Sequence, residues 1–115
     1  MSSPAIEVQN LTKNWNQALI LSTVLSGKKH GYQIALEVEE KSAGQFKFNH
    51  GTLYPILHKL EQEGLIKGVW QQEGSKRKRK YYTITNKGKK YMSALQQEWR
   101  ALFTTFFNII EGNEK

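Results

Sequence analysis

The residues of this chain that could do chemistry are concentrated in one short basic stretch. Residues 76–90 contain no acid and eight of the seventeen lysines and arginines, namely Lys76, Arg77, Lys78, Arg79, Lys80, Lys87, Lys89 and Lys90. The rest of the chain is nearly neutral, although the whole chain carries a formal charge of +7. A local cluster of cations predicts contact with a polyanion, either nucleic acid or an anionic membrane surface. A solvated loop without a partner is the alternative.

Other kinds of chemistry find little support in the sequence. Cysteine is absent, which excludes disulfides, Cys-type zinc sites and thiol catalysis. His58 and Glu61 are the nearest approach to a metal-binding pair, and two ligands fall short of a zinc site. No glycine-rich phosphate loop, nucleophile elbow or catalytic triad is visible. We therefore expect no enzymatic activity, no metal site and no cofactor.

The length and composition indicate one domain. A chain of 115 residues supports a single hydrophobic core. No segment approaches the roughly 18 consecutive apolar residues of a membrane helix. Residues 1–10 lack the basic and apolar regions of a secretory signal. We expect a cytoplasmic protein that has no membrane partner.

Apolar residues at helical spacing predict three helices before the basic stretch. The first extends over about residues 10–26, and its apolar face is formed by Leu11, Trp15, Ala18, Leu19, Ser22 and Leu25. The second extends over residues 32–41. The third begins after Asn49, a favourable N-cap, and ends at Gly64, a favourable residue just beyond a helix.

The following segment has the pattern of a β-hairpin. Residues 65–72 and 80–85 are predicted as strands, the second of them rich in aromatic and β-branched residues. In the first strand, the alternation places Trp70 on the same face as Ile66. Residues 73–75 together with the basic run 76–80 are predicted to form the tip of the hairpin. A two-stranded ribbon is marginal alone and must pack on the helices.

A long helix, capped by Thr85 or Asn86, is predicted for the remainder of the chain. Its heptad seam consists of Met92, Leu95, Trp99, Leu102, Phe106 and Ile109, and a second apolar stripe of Tyr91, Phe103, Phe107 and Ile110 runs beside it. One stripe can cover the chain's own core, so the other predicts a partner helix. The alternative is that both stripes fold back on a single core.

The predicted order of elements is that of a winged helix-turn-helix, in which one helix enters the major groove and a basic wing reaches the flanking backbone. We expect a mainly helical fold with a two-stranded β-wing and a long C-terminal helix. Residues 1–85 would form the DNA-binding domain, and residues 86–115 would form a dimerisation helix within the same compact unit. Three motifs in this order resemble the PadR family of bacterial transcriptional regulators: residues 30–34 (HGYQI), 51–57 (GTLYPIL) and 79–82 (RKYY).

The resemblance implies a homodimeric repressor that binds a palindromic operator in double-stranded DNA. By position, it implies DNA contacts from Tyr32, Asn49, His50, Thr52, Tyr54, Pro55, Lys59, Arg77, Lys78, Arg79 and Lys80. It also implies a dimer interface formed by Met92, Leu95, Trp99, Leu102, Phe103, Phe106 and Ile109. For the tyrosines, a packing role is the alternative. For the whole chain, the alternative is a winged-helix scaffold for protein partners that has no sequence-specific DNA binding.

Two features concern differences among members of this family. Short PadR-like multidrug regulators carry a tryptophan at a position matching Trp99, and planar aromatic ligands stack between the two copies in the dimer. The resemblance therefore implies a possible small aromatic ligand at Trp99, together with Trp15, and a packed dimer core is the alternative. Five consecutive cations at residues 76–80 depart from the usual wing and predict a stronger non-specific contribution to DNA binding.

Overall fold

The computed structural model describes the backbone of residues 11–112 and the side chains from residue 15 onward. Residues 1–10 and 113–115, the ends of the two predicted domains, lie outside the described residues. In chain order the elements are α1 (Leu11–Leu25), β1 (Lys29–His30), α2 (Gly31–Lys41), α3 (His50–Gln62), β2 (Ile66–Glu73), β3 (Arg77–Ile84) and α4 (Asn86–Ile110). The predicted winged helix-turn-helix, mainly helical with a β-wing, is confirmed. None of the helices within residues 11–112 is long and apolar enough to cross a membrane.

The ends of α3 are set by local sequence, as predicted. At its start, the Asn49 side chain accepts a hydrogen bond from the Thr52 N–H at 2.9 Å. At its end, Gly64 adopts a positive φ of 77°, which a glycine reaches without steric cost. The Leu65 N–H then donates to the Leu60 carbonyl at 3.0 Å and closes the helix.

The buried face of α1 differs from the predicted one. Its buried residues are Ile20, Leu21, Thr23 and Val24, whereas Ser22 is exposed and Leu25 is half exposed. The predicted face keeps only its N-terminal part, in which Trp15, Ala18 and Leu19 are half-buried beside α4; the Leu11 side chain lies outside the described residues. Because α1 packs against α4 as well as against α2, α3 and β3, it carries two apolar faces, and a search for one face selects the wrong side.

The small antiparallel sheet has the strand order β1-β3-β2. The two-residue strand β1, which lies between the first two predicted helices, pairs with β3 through Lys29–Tyr82 and His30–Tyr81. Strand β3 begins at Arg77 rather than at Lys80, so most of the basic run lies inside a strand and not in the hairpin tip as predicted. The hairpin of β2 and β3 is called the wing below. Its side chains alternate, so that Lys78 and Lys80 lie on one face and Arg77 and Arg79 on the other.

The hydrophobic core lies between the first three helices, the base of the wing and the start of α4. Met92 and Leu95 of α4 are buried in the chain itself, with 9% and 3% of their surface exposed. Trp70, by contrast, is 63% exposed, although Ile66 on the same face of β2 is buried. The distal part of the wing, residues 71–78, is mostly exposed.

Candidate nucleic-acid interface

A groove of about 590 Å³ separates α3 from the wing. It is lined by His30, Gly31, Tyr32, Tyr54, His58, Glu61, Trp70, Lys78, Arg79, Lys80 and Tyr82. The groove therefore joins the start of α2, one side of α3 and the face of the wing that carries Lys78 and Lys80. Five of the residues predicted to contact DNA line it, and they come from segments that are far apart in the sequence.

The outer side of α3 presents most of the other predicted DNA contacts. Thr52, Pro55 and Lys59 are exposed, while Leu53, Leu57 and Leu60 anchor the opposite side in the core. His50 is also exposed, and its ring stacks on Tyr54 at 5.7 Å. Asn49 is exposed too, but its side-chain oxygen is engaged in capping the helix. The N-terminal half of α3 thus offers polar groups on one continuous surface.

Tyr54 has a packing role as well as an exposed edge. Its ring lies directly on Gly31, where a Cβ atom would come within 2.8 Å of the tyrosine oxygen. A side chain at position 31 would therefore displace the Tyr54 ring, and the glycine allows this close contact between α2 and α3. Tyr32, the next residue, is exposed at the rim of the groove and stacks beside His30 at 6.4 Å.

His30 links the start of α2 to the wing. Its Nδ1 accepts from the Gln33 N–H at 3.3 Å, and its backbone N–H donates to the Gln33 side chain at 3.0 Å. Its Nε2 lies 2.7 Å from the guanidinium of Arg79, which can only donate. The neutral imidazole has one lone-pair nitrogen, so it can accept only one of these two bonds, and protonation would remove that acceptor.

Burial, and then the charge of Arg79, lower the pKa of His30, while the charge of Glu73 opposes this shift. The unfolded chain consequently takes up the proton at a higher pH than the folded chain does. The neutral ring stabilises the fold at neutral pH, and this stabilisation declines as the pH falls below the ordinary histidine pKa of about 6.5.

Two of the predicted wing contacts are paired within the chain. Arg79 forms a salt bridge with Glu73 at 3.3 Å in addition to its contact with His30. Lys80 forms one with Glu61 at 2.7 Å. Lys76, Arg77 and Lys78 are exposed, and within the described residues they form no ion pair. The free charge of the wing is therefore three cations rather than the five consecutive cations in the sequence.

Trp70 was missed as a candidate functional residue by the sequence analysis. It is exposed on the groove side of the wing, and the Lys80 ammonium lies 6.0 Å from its ring centroid. The signal in the sequence was a large aromatic residue in the distal half of a strand that faces a basic strand. Only the length of the wing beyond the core shows that this residue faces solvent.

A second region, away from the groove, contains the aromatic residues of α4 and α1. Trp15 lies edge-on to Trp99 at 5.3 Å, and Trp99 lies 5.4 Å from Phe103. Beside them is a cavity of about 360 Å³, which is lined by Trp15, Trp99, Leu102, Phe103, Thr105, Phe106 and Ile109. The two residues predicted to bind a ligand thus meet within one chain.

The predicted dimer seam divides at Trp99. Met92 and Leu95 precede it and are already buried in the chain's own core, which leaves little of their surface for a partner helix. Beyond Trp99, Leu102 is half-buried, while Phe103, Phe106 and Ile109 are exposed, Ile109 by 72%. Phe107 and Ile110, from the second stripe, are also exposed. Apart from the contact of Phe103 with Trp15, the distal half of α4 is thus an exposed apolar surface among the described residues.

The described residues offer little for metal binding. Within residues 11–112, no group of three or more histidine, cysteine, aspartate or glutamate side chains could hold a metal ion. Glu61, the acidic member of the pair noted in the sequence, is engaged by Lys80.

Comparisons with a protein-family model and with a known protein point to the same family. The model of the family described as "Transcriptional regulator PadR-like family" matches residues 20–94. The negative transcriptional regulator PadR of Bacillus subtilis (strain 168) is 34% identical over 70 residues, which are 61% of this chain and 38% of that protein. The match thus spans well under half of the longer relative.

Solved structures show the same similarity. A PadR family transcription regulator from Clostridium difficile R20291 superposes with a TM-score of 0.71 and 34% identity, covering 84% of this chain and 97% of the other. The structure of Bacillus subtilis PadR in complex with operator DNA superposes with a TM-score of 0.67 and 29% identity, covering 71% of this chain and 46% of the other.

Proposed function

Since this chain belongs to the PadR-like family of transcriptional regulators, we propose that it is a repressor that binds a palindromic DNA operator as a homodimer. The observation that carries the proposal is the groove. Tyr54 and His58 of α3 line one side of it and Lys78 of the wing lines the other, which suits a helix in the major groove and a wing along the flanking backbone. The structure of the Bacillus subtilis relative with operator DNA supports this proposal.

In this proposal the contacts divide into two kinds. The outer side of α3 reads bases, with His50 and Thr52 near the helix N-terminus, where base contacts concentrate. Lys59, Arg77 and Lys78 neutralise phosphates. Arg79 and Lys80 hold the wing in place, because both are paired internally.

Since DNA is the target, the protein acts in the cytoplasm of the bacterial cell.

The dimer in this proposal is formed by α4. Residues up to Thr85 bind DNA, and the helix that follows carries exposed apolar residues past Trp99. A second copy of this surface would cover them, as isologous contacts between identical subunits do. Two-fold symmetry of the protein then matches inverted half-sites in the operator.

Selection of bound fragments from random duplex DNA, followed by sequencing, tests the function directly. We expect two inverted half-sites whose centres are separated by one helical turn, about 10 base pairs, or by a multiple of it. A single asymmetric site would contradict the dimer. If the protein is not retained on any duplex at low salt, the scaffold for protein partners becomes the better description.

We also propose that a planar aromatic ligand releases the protein from DNA. The cavity beside Trp15 and Trp99 supports this second proposal, because indole rings in an apolar wall attract flat aromatic or cationic compounds. The exposed end of the seam borders the same cavity. A bound ligand can thus bias the separation of the two subunits and of their recognition helices.

A flat aromatic dye is expected to bind at one per dimer, to quench tryptophan fluorescence and to weaken operator binding by about 5–150-fold. Saturating operator must weaken dye binding by the same factor, since coupling between two binding sites is reciprocal. Trp99→Ala removes the stacking surface and should abolish dye binding while operator affinity stays nearly unchanged. Fluorescence titration of both variants and of the operator complex measures these effects.

Trp70→Phe is the matched control for this titration, because Trp70 lies in the wing and not in the cavity. Quenching should persist in that variant. Equal dye binding to the Trp99→Ala dimer, or operator affinity that is indifferent to saturating dye, would show that the cavity is only a packed core.

A further inference from the structure

An acidic side chain joins α3 to both strands of the wing inside the otherwise basic groove. Glu61, near the end of α3, accepts from the Lys80 ammonium at 2.7 Å through Oε1. It accepts from the Gly68 N–H at 3.3 Å through Oε2. Gly68 belongs to β2 and Lys80 to β3. One carboxylate thus connects α3 to both strands of the wing.

The space at Gly68 is what allows this approach. A Cβ atom at that position would collide with the Lys80 side chain and would lie 3.1 Å from Glu61 Oε2. The Lys80 ammonium also lies 5.7 Å from the centroid of the Tyr82 ring and near Trp70. A carboxylate and two aromatic faces therefore determine where Lys80 lies.

The Lys80 and Glu61 side chains are 27% and 29% exposed, so water only partly screens their attraction. Pairing of β1 with β3 and the contact of Arg79 with His30 attach the wing to the start of α2. The Glu61–Lys80 contact attaches the wing to α3 and therefore contributes to the angle between them. The same contact pairs the charge of Lys80 within the chain.

We propose that Glu61 is a specificity-determining positioning residue: it fixes the wing relative to α3 and withholds Lys80 from DNA, thereby favouring operator over random duplex. This inference rests on the proposed DNA-binding function. Non-specific affinity grows with the number of phosphates neutralised, and each one adds about 0.9 to the salt slope. Operator binding additionally requires that α3 reaches the major groove of the DNA while the wing reaches the flanking backbone. Loss of the carboxylate should therefore change the affinity for operator and the affinity for random duplex by different factors.

Glu61→Gln tests the proposal, because glutamine keeps an acceptor for the Gly68 N–H and removes only the charge. We expect affinity for random duplex to rise about three- to tenfold at 0.1 M salt, and the salt slope to steepen by about 1 for each lysine released. Operator affinity gains less, so the ratio of operator to random-duplex affinity falls. Fluorescence anisotropy titrations with both duplexes across a salt series measure all three quantities.

Glu63→Gln is the matched control, since Glu63 is exposed, carries the same charge and does not line the groove. Equal changes in slope and affinity for the two variants would overturn the proposal. A second variant, Lys80→Gln, approaches the same contact from the wing. It should lower operator affinity and leave the salt slope on random duplex unchanged.

A decrease of about 2 in the slope for Lys80→Gln, about 1 for each lysine of the dimer, would mean that Lys80 contacts phosphate, and this would overturn the inference. It would do so even if Glu61→Gln failed to fold. Failure of the underlying function is recognised separately in the same titration, because the unaltered protein would then bind neither duplex.

Discussion

Replacing Phe106 with aspartate is expected to dissociate the dimer and to abolish operator binding with it. Phe106 is 52% exposed in the described chain and lies on the distal apolar surface of α4, where Phe107 contacts it. A carboxylate buried there between two subunits has no partner, and such burial costs several kcal/mol. Because the two half-sites are bound as one unit, losing the link costs about 10²–10⁴-fold in apparent affinity.

Light scattering after size exclusion measures the dimer, and titration with the selected operator measures the affinity. Gln97→Asp is the matched control, because nine residues at 100° each place Gln97 opposite Phe106 on the same helix, where it is exposed. That variant should remain dimeric and active. A folded Phe106→Asp monomer with full operator affinity would refute the assignment of the distal surface to the dimer.

The second large effect is expected from the free cations of the wing. Changing Arg77 and Lys78 together to alanine removes four positive charges from each dimer, none of which is paired within the described chain. Binding to every duplex, operator or random, should weaken by about 10²–10³-fold at 0.1 M salt. The salt dependence should also flatten. For the unaltered dimer, about 6–10 phosphate contacts predict a 10³–10⁵-fold loss of affinity between 50 and 200 mM salt.

A variant with alanine at Lys89 and Lys90 separates the wing from net charge. Both residues are exposed on α4, do not line the groove and carry the same total charge. This control should retain the salt slope of the unaltered protein. Similar losses in the two double variants would show that overall charge, and not the wing, attracts DNA.

The sequence determined those features whose causes are local. Asn49 caps α3 because a side-chain oxygen three residues before a free N–H is sufficient. Gly64 ends the helix because a positive φ needs no partner elsewhere. The spacing of the apolar residues in α2, α3 and α4 likewise predicted these helices. The order of these elements, together with the motifs of residues 30–34, 51–57 and 79–82, was sufficient to predict the winged helix and the family.

Only the tertiary structure decided which of the predicted residues are free to act. Arg79 meets His30 across 49 residues, and Lys80 meets Glu61 across 19, so two cations of one basic run stabilise the wing. Met92, placed in the dimer seam by its spacing, is buried in the chain's own core, and Trp70 is exposed on the groove side of the wing. Periodicity shows which residues share a face of an element. It does not show what lies against that face, because the neighbour is set by packing between segments distant in the chain.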